Sequence, residues 1–137
     1  MALASSLTQA PPLRRGRTGA IALWTVQVLL AGMFLMAGGL KLFGAPEMVA
    51  LFNAVGIGQW FRYVTGSIEV SSAIALLVPS FAVFGALALV PTMVGAVATN
   101  LFIVGASPAI PMVLLLGSAV VVWARRQQLV DVLQTVR

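Results

Sequence analysis

Lys41, Glu69 and Asn100 are the side chains in this sequence that combine proton-holding or hydrogen-bonding capacity with apolar surroundings. A carboxylate held away from water can bind a proton, pair with a cation, or accept hydrogen bonds from a ligand; an ammonium and an amide add donors. Glu69 falls about seven residues into a hydrophobic stretch, a depth of roughly 10 Å on a helix. A charge at that depth costs several kcal/mol unless it is neutralised, paired or wetted. Its neighbours at helical spacing are Arg62, Thr65, Gly66, Ser72 and Ala73, whereas Ile68, Ile74 and Leu77 occupy the other faces. Glu69 is therefore expected to face other helices. Lys41 shares a stripe with Phe34, Ala37 and Gly38, small enough for close helix approach. It either snorkels to the interface or reaches Glu69 on an antiparallel neighbour. Asn100, with Thr99 beside it, falls at a similar depth on a third segment. Lys41, Glu69 and Asn100 are thus the candidate ligand- or proton-binding residues, with Gly38, Gly66, Ser72 and Thr99 as their packing and polar support. The same cluster also fits a purely structural lock on helix register. Gln27 stands apart, near the opposite end of the first segment.

The segments that position these residues read as membrane spans. Residues 70–124 form 55 consecutive positions without a charged side chain. At about 1.5 Å per residue this run would be roughly 80 Å long as one helix, against a hydrocarbon core of about 30 Å. It must fold back on itself within a bilayer. The whole chain is 61% hydrophobic and 8% charged, with a mean hydropathy of +1.07, where soluble domains carry about a quarter charged residues. The expectation is an all-α, integral membrane four-helix bundle. Its spans lie near residues 21–43, 60–78, 81–104 and 109–124 within a bundle covering residues 20–126. A basic, disordered arm precedes it at residues 1–19, and a short tail follows at 127–137, as a frayed or surface helix. The uncharged run 18–40 is longer than the core of a signal peptide and no small-residue cleavage site follows it, so it reads as a retained span. Pro46 and Glu47 suit the start of a short interfacial helix between the first two spans. Trp60, Arg62 and Tyr63 read as an anchor at the water–lipid boundary. Pro91 is expected to kink the third span. Gly85 and Gly95 are expected at helix contacts, and Ser67/Ser71, Ala82/Ala86 and Gly95/Thr99 offer small-residue packing faces.

Four spans put both termini on one side. Arg14, Arg15, Arg17, Arg125, Arg126 and Arg137 then oppose Lys41 and Arg62, which predicts cytoplasmic termini in the cell (inner) membrane. The basic excess, +5, sits at span ends and lacks interleaved stacking aromatics, so it speaks for lipid headgroups and against nucleic acid. Without cysteine or histidine, the chain cannot supply thiol chemistry, a histidine base, or Cys- or His-ligated metal. No phosphate loop, dinucleotide fingerprint or nucleophile elbow is present, and no catalytic residue is assigned.

Gly38-Gly39-Leu40-Lys41-Leu42-Phe43 at the end of the first span resembles the first signature of the DoxX-like family of small four-helix membrane proteins. The Gly56-Ile57-Gly58 close of the loop helix and Gly66-Ser67-Ile68-Glu69 in the second span are similar to that family's pattern as well. Ala98-Thr99-Asn100-Leu101 falls where many members carry a histidine; asparagine, which does not titrate, stands there in this chain. The resemblance covers about residues 21–124. It implies a four-helix bundle with Lys41 and Glu69 as the family-matched positions. Some relatives are subunits of thiosulfate:quinone oxidoreductases, and others belong to thiol or oxidative-stress complexes. What the resemblance implies is therefore an accessory or structural subunit of a membrane complex, quinone-linked in some relatives. It would hold no cofactor of its own beyond a bound quinone or lipid, and its partners would be lipids, other membrane subunits or further copies of itself. The alternative is a quinone-, lipid- or proton-binding protein that uses the Lys41/Glu69/Asn100 cluster.

Overall fold

A computed structural model of the chain describes residues 16–137, and among them all regular structure is helical. Helix α1 spans Arg17–Phe43, α2 Pro46–Val55, α3 Gln59–Leu77 and α4 Ala82–Thr99. A π-helical segment, Asn100–Val104, continues α4; α5 spans Ala109–Ala124 and α6 Arg126–Thr135. The first helix begins at Arg17, inside the stretch assigned to the basic arm; no proline interrupts the chain between Arg17 and Ile21. Arg14 and Arg15 lie outside the described residues.

Helix α1 stops where Gly44 adopts a left-handed conformation (φ 73°). The Gly44 and Ala45 amides then donate to the Lys41 and Leu40 carbonyls, the paired closure that glycine permits at a helix end. Pro46 opens α2 at the position where its missing N–H has no cost, and Glu47 sits in the first turn. Gly56 ends α2, again with positive φ. The tail is a formed helix, α6, set at 51° to α5.

Helices α1, α3, α4 and α5 pack in a ring in which each touches the next and α5 returns to α1. Helix α2 lies against α3 and the π-helical segment at one end; α6 lies against α4 and α5 at the other. The core is made by Leu30, Phe34, Ala73, Leu76, Leu89 and Leu114 and their neighbours. Outside it, burial is inverted relative to a water-soluble domain. Gln27, Arg62, Glu69, Ser72 and Ser118 are buried, while Phe43 is 93% and Phe102 84% exposed. Apolar side chains are exposed along every packed helix, where a soluble monomer exposes only limited apolar patches. Hydrocarbon is the solvent that makes this arrangement stable.

Among the described residues, two helical stretches are long and apolar enough to cross a bilayer unaided: Arg17–Phe43 and Ala82–Val104, each with a mean hydropathy of 2.0. The bent pair Ala109–Ala124 and Arg126–Thr135 makes a third if taken as one span. Helix α3 falls short because of its polar stripe, which α1 and α4 cover.

Candidate functional site

The α1–α3 crossing creates the site. A Cβ on Gly38 would come within 2.8 Å of Val70 Cγ2 and 2.9 Å of the Gly66 carbonyl oxygen. One on Gly66 would meet Lys41 Cβ at 3.0 Å and the Gly38 carbonyl oxygen at 3.1 Å. Only glycine at both positions lets the two backbones approach this closely. Three residues beyond Gly38 on α1 is Lys41; three beyond Gly66 on α3 is Glu69. Antiparallel packing sets their side chains against one another.

Lys41 Nζ donates to both carboxylate oxygens of Glu69, at 2.8 Å to Oε2 and 3.1 Å to Oε1. Glu69 is 1% exposed. Its charge is stabilised by a bidentate, charge-assisted contact rather than by water. A second cation lies one layer towards the α2 end. Arg62 is 4% exposed. Its Nη1 donates to the Lys41 carbonyl and its Nε to Gln59 Oε1 at 2.7 Å. The guanidinium also stacks on Tyr63, 4.3 Å from the ring centroid. Gln59 in turn donates to the Val49 carbonyl at 3.0 Å and to Asn53 Oδ1 at 2.8 Å. One connected string of polar contacts thus runs from Glu69 on α3 through Lys41 on α1, back to Arg62 and Gln59 on α3, and on to α2.

The boundary-anchor expectation divides here. Trp60 and Tyr63 are exposed, but Arg62 turns inward. Its spacing of three from Gln59 and seven from Glu69 puts all three on one helical face, and that was the signal for its role.

Asn100 takes a different direction. Its amide Nδ2 donates to the Ser107 carbonyl at 3.0 Å, across the loop between α4 and α5. No hydrogen bond among the described residues joins Asn100 to Lys41 or Glu69. Thr99 donates to the Gly95 carbonyl of its own helix at 2.8 Å. Ser72 is buried where α4 crosses α3: a Cβ on Gly85 would approach the Ser72 carbonyl oxygen to 2.7 Å. Ser72 therefore marks a second close helix contact. Gly95 does not; a Cβ there would meet nothing within 4 Å.

Gln27 belongs to a second clasp, which no local sequence pattern announces. It is fully buried, donates to the Leu76 carbonyl at 2.7 Å, and accepts from Arg125 Nε at 2.8 Å. Arg125 also lies 5.5 Å from the Trp24 ring centroid. Gln128 donates to the Pro79 carbonyl at 2.7 Å, tying α6 to the α3–α4 turn. The arginine-rich ends of α1 and α5, the α3–α4 turn and α6 therefore share one end of the bundle. Lys41, Glu69, Arg62 and α2 occupy the other.

Of two surface grooves among the described residues, neither is lined by Lys41 or Glu69. One, of about 470 Å³, follows α1 from Arg17 to Leu29. The other, of about 510 Å³, lies between α4 and α5 and is lined by Leu87, Val90, Pro91, Ala119, Val122, Trp123 and Arg126.

Residues 25–125 match the family model described as the DoxX-like family. The chain belongs to the DoxX-like family. The matched region includes the Gly38/Gly66 crossing and both polar clasps. No curated protein and no solved structure matches it. Membership adds to the inverted burial and the apolar helices in making this DoxX-like chain a membrane protein.

Proposed function

We propose that this DoxX-like protein is a non-catalytic accessory or structural subunit of a membrane complex. It crosses the cell membrane four times through α1, α3, α4 and α5, with both termini cytoplasmic. The observation that carries the reading is the closed Lys41–Glu69 pair. Both carboxylate oxygens contact one ammonium, and the adjoining Arg62 and Gln59 are spent on the backbone and on α2. Such a cluster fixes how α1, α2 and α3 meet and keeps the Glu69 carboxylate out of a substrate's reach. The link to a quinone-linked oxidoreductase comes from the family resemblance alone.

The test is gentle extraction of the tagged protein from its native membrane, followed by mass spectrometry of what co-purifies. A stoichiometric membrane partner is the expected result. Reduction of a quinone by the purified protein alone, with a physiological donor, would exclude the non-catalytic reading. The orientation has its own test: single cysteines introduced beside Ser107 and at Arg137, in a chain with no native cysteine, should label from opposite sides.

A second reading makes the pair a quinone-, lipid- or proton-binding site. It is favoured by the 14% exposure that the Lys41 side chain retains and by its third N–H, which the two bonds to Glu69 do not use. If Glu69→Gln in liposomes leaves quinone binding and proton flux unchanged, this reading fails.

A further inference from the structure

The groove between α4 and α5 has apolar walls from two helices and one charged rim. Its walls are Leu87, Val90 and Pro91 on α4 and Ala119, Val122 and Trp123 on α5, and Arg126 stands at its mouth. Its volume, about 510 Å³, falls in the range of about 300–1,000 Å³ common for small-molecule sites. Pro91 shapes one wall and has no N–H to give the Leu87 carbonyl. The wall residues on α4 lie five to nine positions beyond its start at Ala82, about 8–13 Å up the helix. The groove thus runs from the arginine-rich end towards the middle of the bundle.

Arg126 is held for a purpose at that mouth. The α5–α6 bend of 51° places it at the first position of α6. Its Nη1 donates to the Trp123 carbonyl at 2.7 Å, and its guanidinium carbon lies 4.5 Å from the Trp123 ring centroid. These contacts orient the fork while using few of its five donors. Among the described residues no carboxylate pairs with it, since the ion pair present is Lys41–Glu69. A planar, oriented guanidinium with free donors suits a phosphate oxygen pair.

We propose that this groove is a binding site for one anionic phospholipid, with an acyl chain along Leu87, Val90, Ala119 and Val122 and the phosphate on Arg126. Charge favours a lipid over a second copy of this chain. Arg17, Arg125 and Arg126 stand at this end against Asp131, so two such ends repel, whereas an anionic headgroup is attracted.

The experiment is native mass spectrometry of the full-length protein after exchange into detergent with equal amounts of phosphatidylglycerol and phosphatidylcholine. The expected result is one retained phosphatidylglycerol per chain. Arg126→Gln should lower its occupancy about fivefold, the weight of one arginine near an anionic headgroup. Ala119→Phe fills an exposed position of the groove and keeps every charge; it should lower occupancy as much. Arg137→Gln removes the same charge away from the groove and should leave occupancy unchanged. Circular dichroism confirms that each variant keeps its helix content. Equal retention of the two lipids, unchanged occupancy in Ala119→Phe, or an equal loss in Arg137→Gln would each overturn the proposal.

Discussion

The two ends of the bundle are fastened by different chemistry. At the α2 end, two opposite charges meet beneath a glycine–glycine crossing, and the contact joins α1, α2 and α3. At the arginine-rich end, a neutral amide bridges three helices: Gln27 on α1 donates to the Leu76 carbonyl of α3 and accepts from Arg125 at the end of α5. Leu76 is the next-to-last residue of α3, so its carbonyl has no partner within the helix, and Gln27 completes it. The amide clasp thus closes the ring of helices, whereas the ion pair closes half of it. At the ion-pair end, α4 passes into the π-helical segment, none of whose residues is buried. The comparison teaches that a strong local contact and a bundle-wide contact are separate achievements. The ion pair fixes one interface tightly; the weaker amide holds more of the structure together.

Breaking one partner of the ion pair should have the largest effect. Lys41→Met leaves the Glu69 carboxylate buried without a counter-charge and should destabilise the protein by about 3–5 kcal/mol. The double variant Lys41→Met/Glu69→Met should recover most of that, because an apolar pair of similar volume often replaces a buried ion pair without loss. Thermal unfolding in detergent measures both. A double variant no better than the single one would show that the pair does more than neutralise itself.

Gly38→Ala comes next, at about 1–3 kcal/mol, since its Cβ would strike Val70 and the Gly66 carbonyl. Gly39→Ala, one residue on, has open space around its Cβ and should stabilise by up to about 1 kcal/mol through helix propensity. Opposite signs at adjacent positions on the same melting assay would isolate the crossing as the cause.

Gln27→Leu should lose about 1–3 kcal/mol, because the Leu76 carbonyl and Arg125 lose their shared partner. It also sharpens the comparison: cysteine pairs between α1 and α5 should cross-link less efficiently in Gln27→Leu and as well as before in the Lys41/Glu69 double variant. The smallest effect belongs to Asn100→Ala, whose amide holds an exposed loop; its melting temperature should correspond to a change within about 0.5 kcal/mol.

The sequence made the ion pair legible because depth along a helix follows from residue number at 1.5 Å per position. Lys41 and Glu69 match in depth, and the glycines on their stripes supply the approach. Asn100 matches in depth as well, yet it turns away. Its amide is taken by the Ser107 carbonyl in the loop that follows, a partner that depth along a helix does not reveal. Arg62 was obscured by its neighbours: Trp60 and Tyr63 face outward as boundary anchors, and a run of aromatic and basic residues hides which one turns in. The Gln27–Arg125 contact joins residues 98 positions apart, and no local pattern pairs one amide with one guanidinium across such a distance. The breaks on either side of α2 lie at Gly44, Pro46 and Gly56, where backbone chemistry decides.

The close fit of Gly38 against Gly66 also bears on how the chain enters its membrane. Helix α1 emerges from synthesis before α3 and is apolar enough to insert unaided, with Lys41 close enough to its end to keep its ammonium in the headgroup layer. Helix α3 emerges later, carries Glu69, and on the four-span reading has no favourable place in lipid until the lysine is beside it. The glycine crossing is the docking point that brings the two together. Chains released after α3 should therefore integrate α3 poorly when Gly38 is replaced by a bulky residue, which protease protection of nascent chains would detect. On that reading a helix contact is also a condition of biogenesis, with α3 admitted by α1.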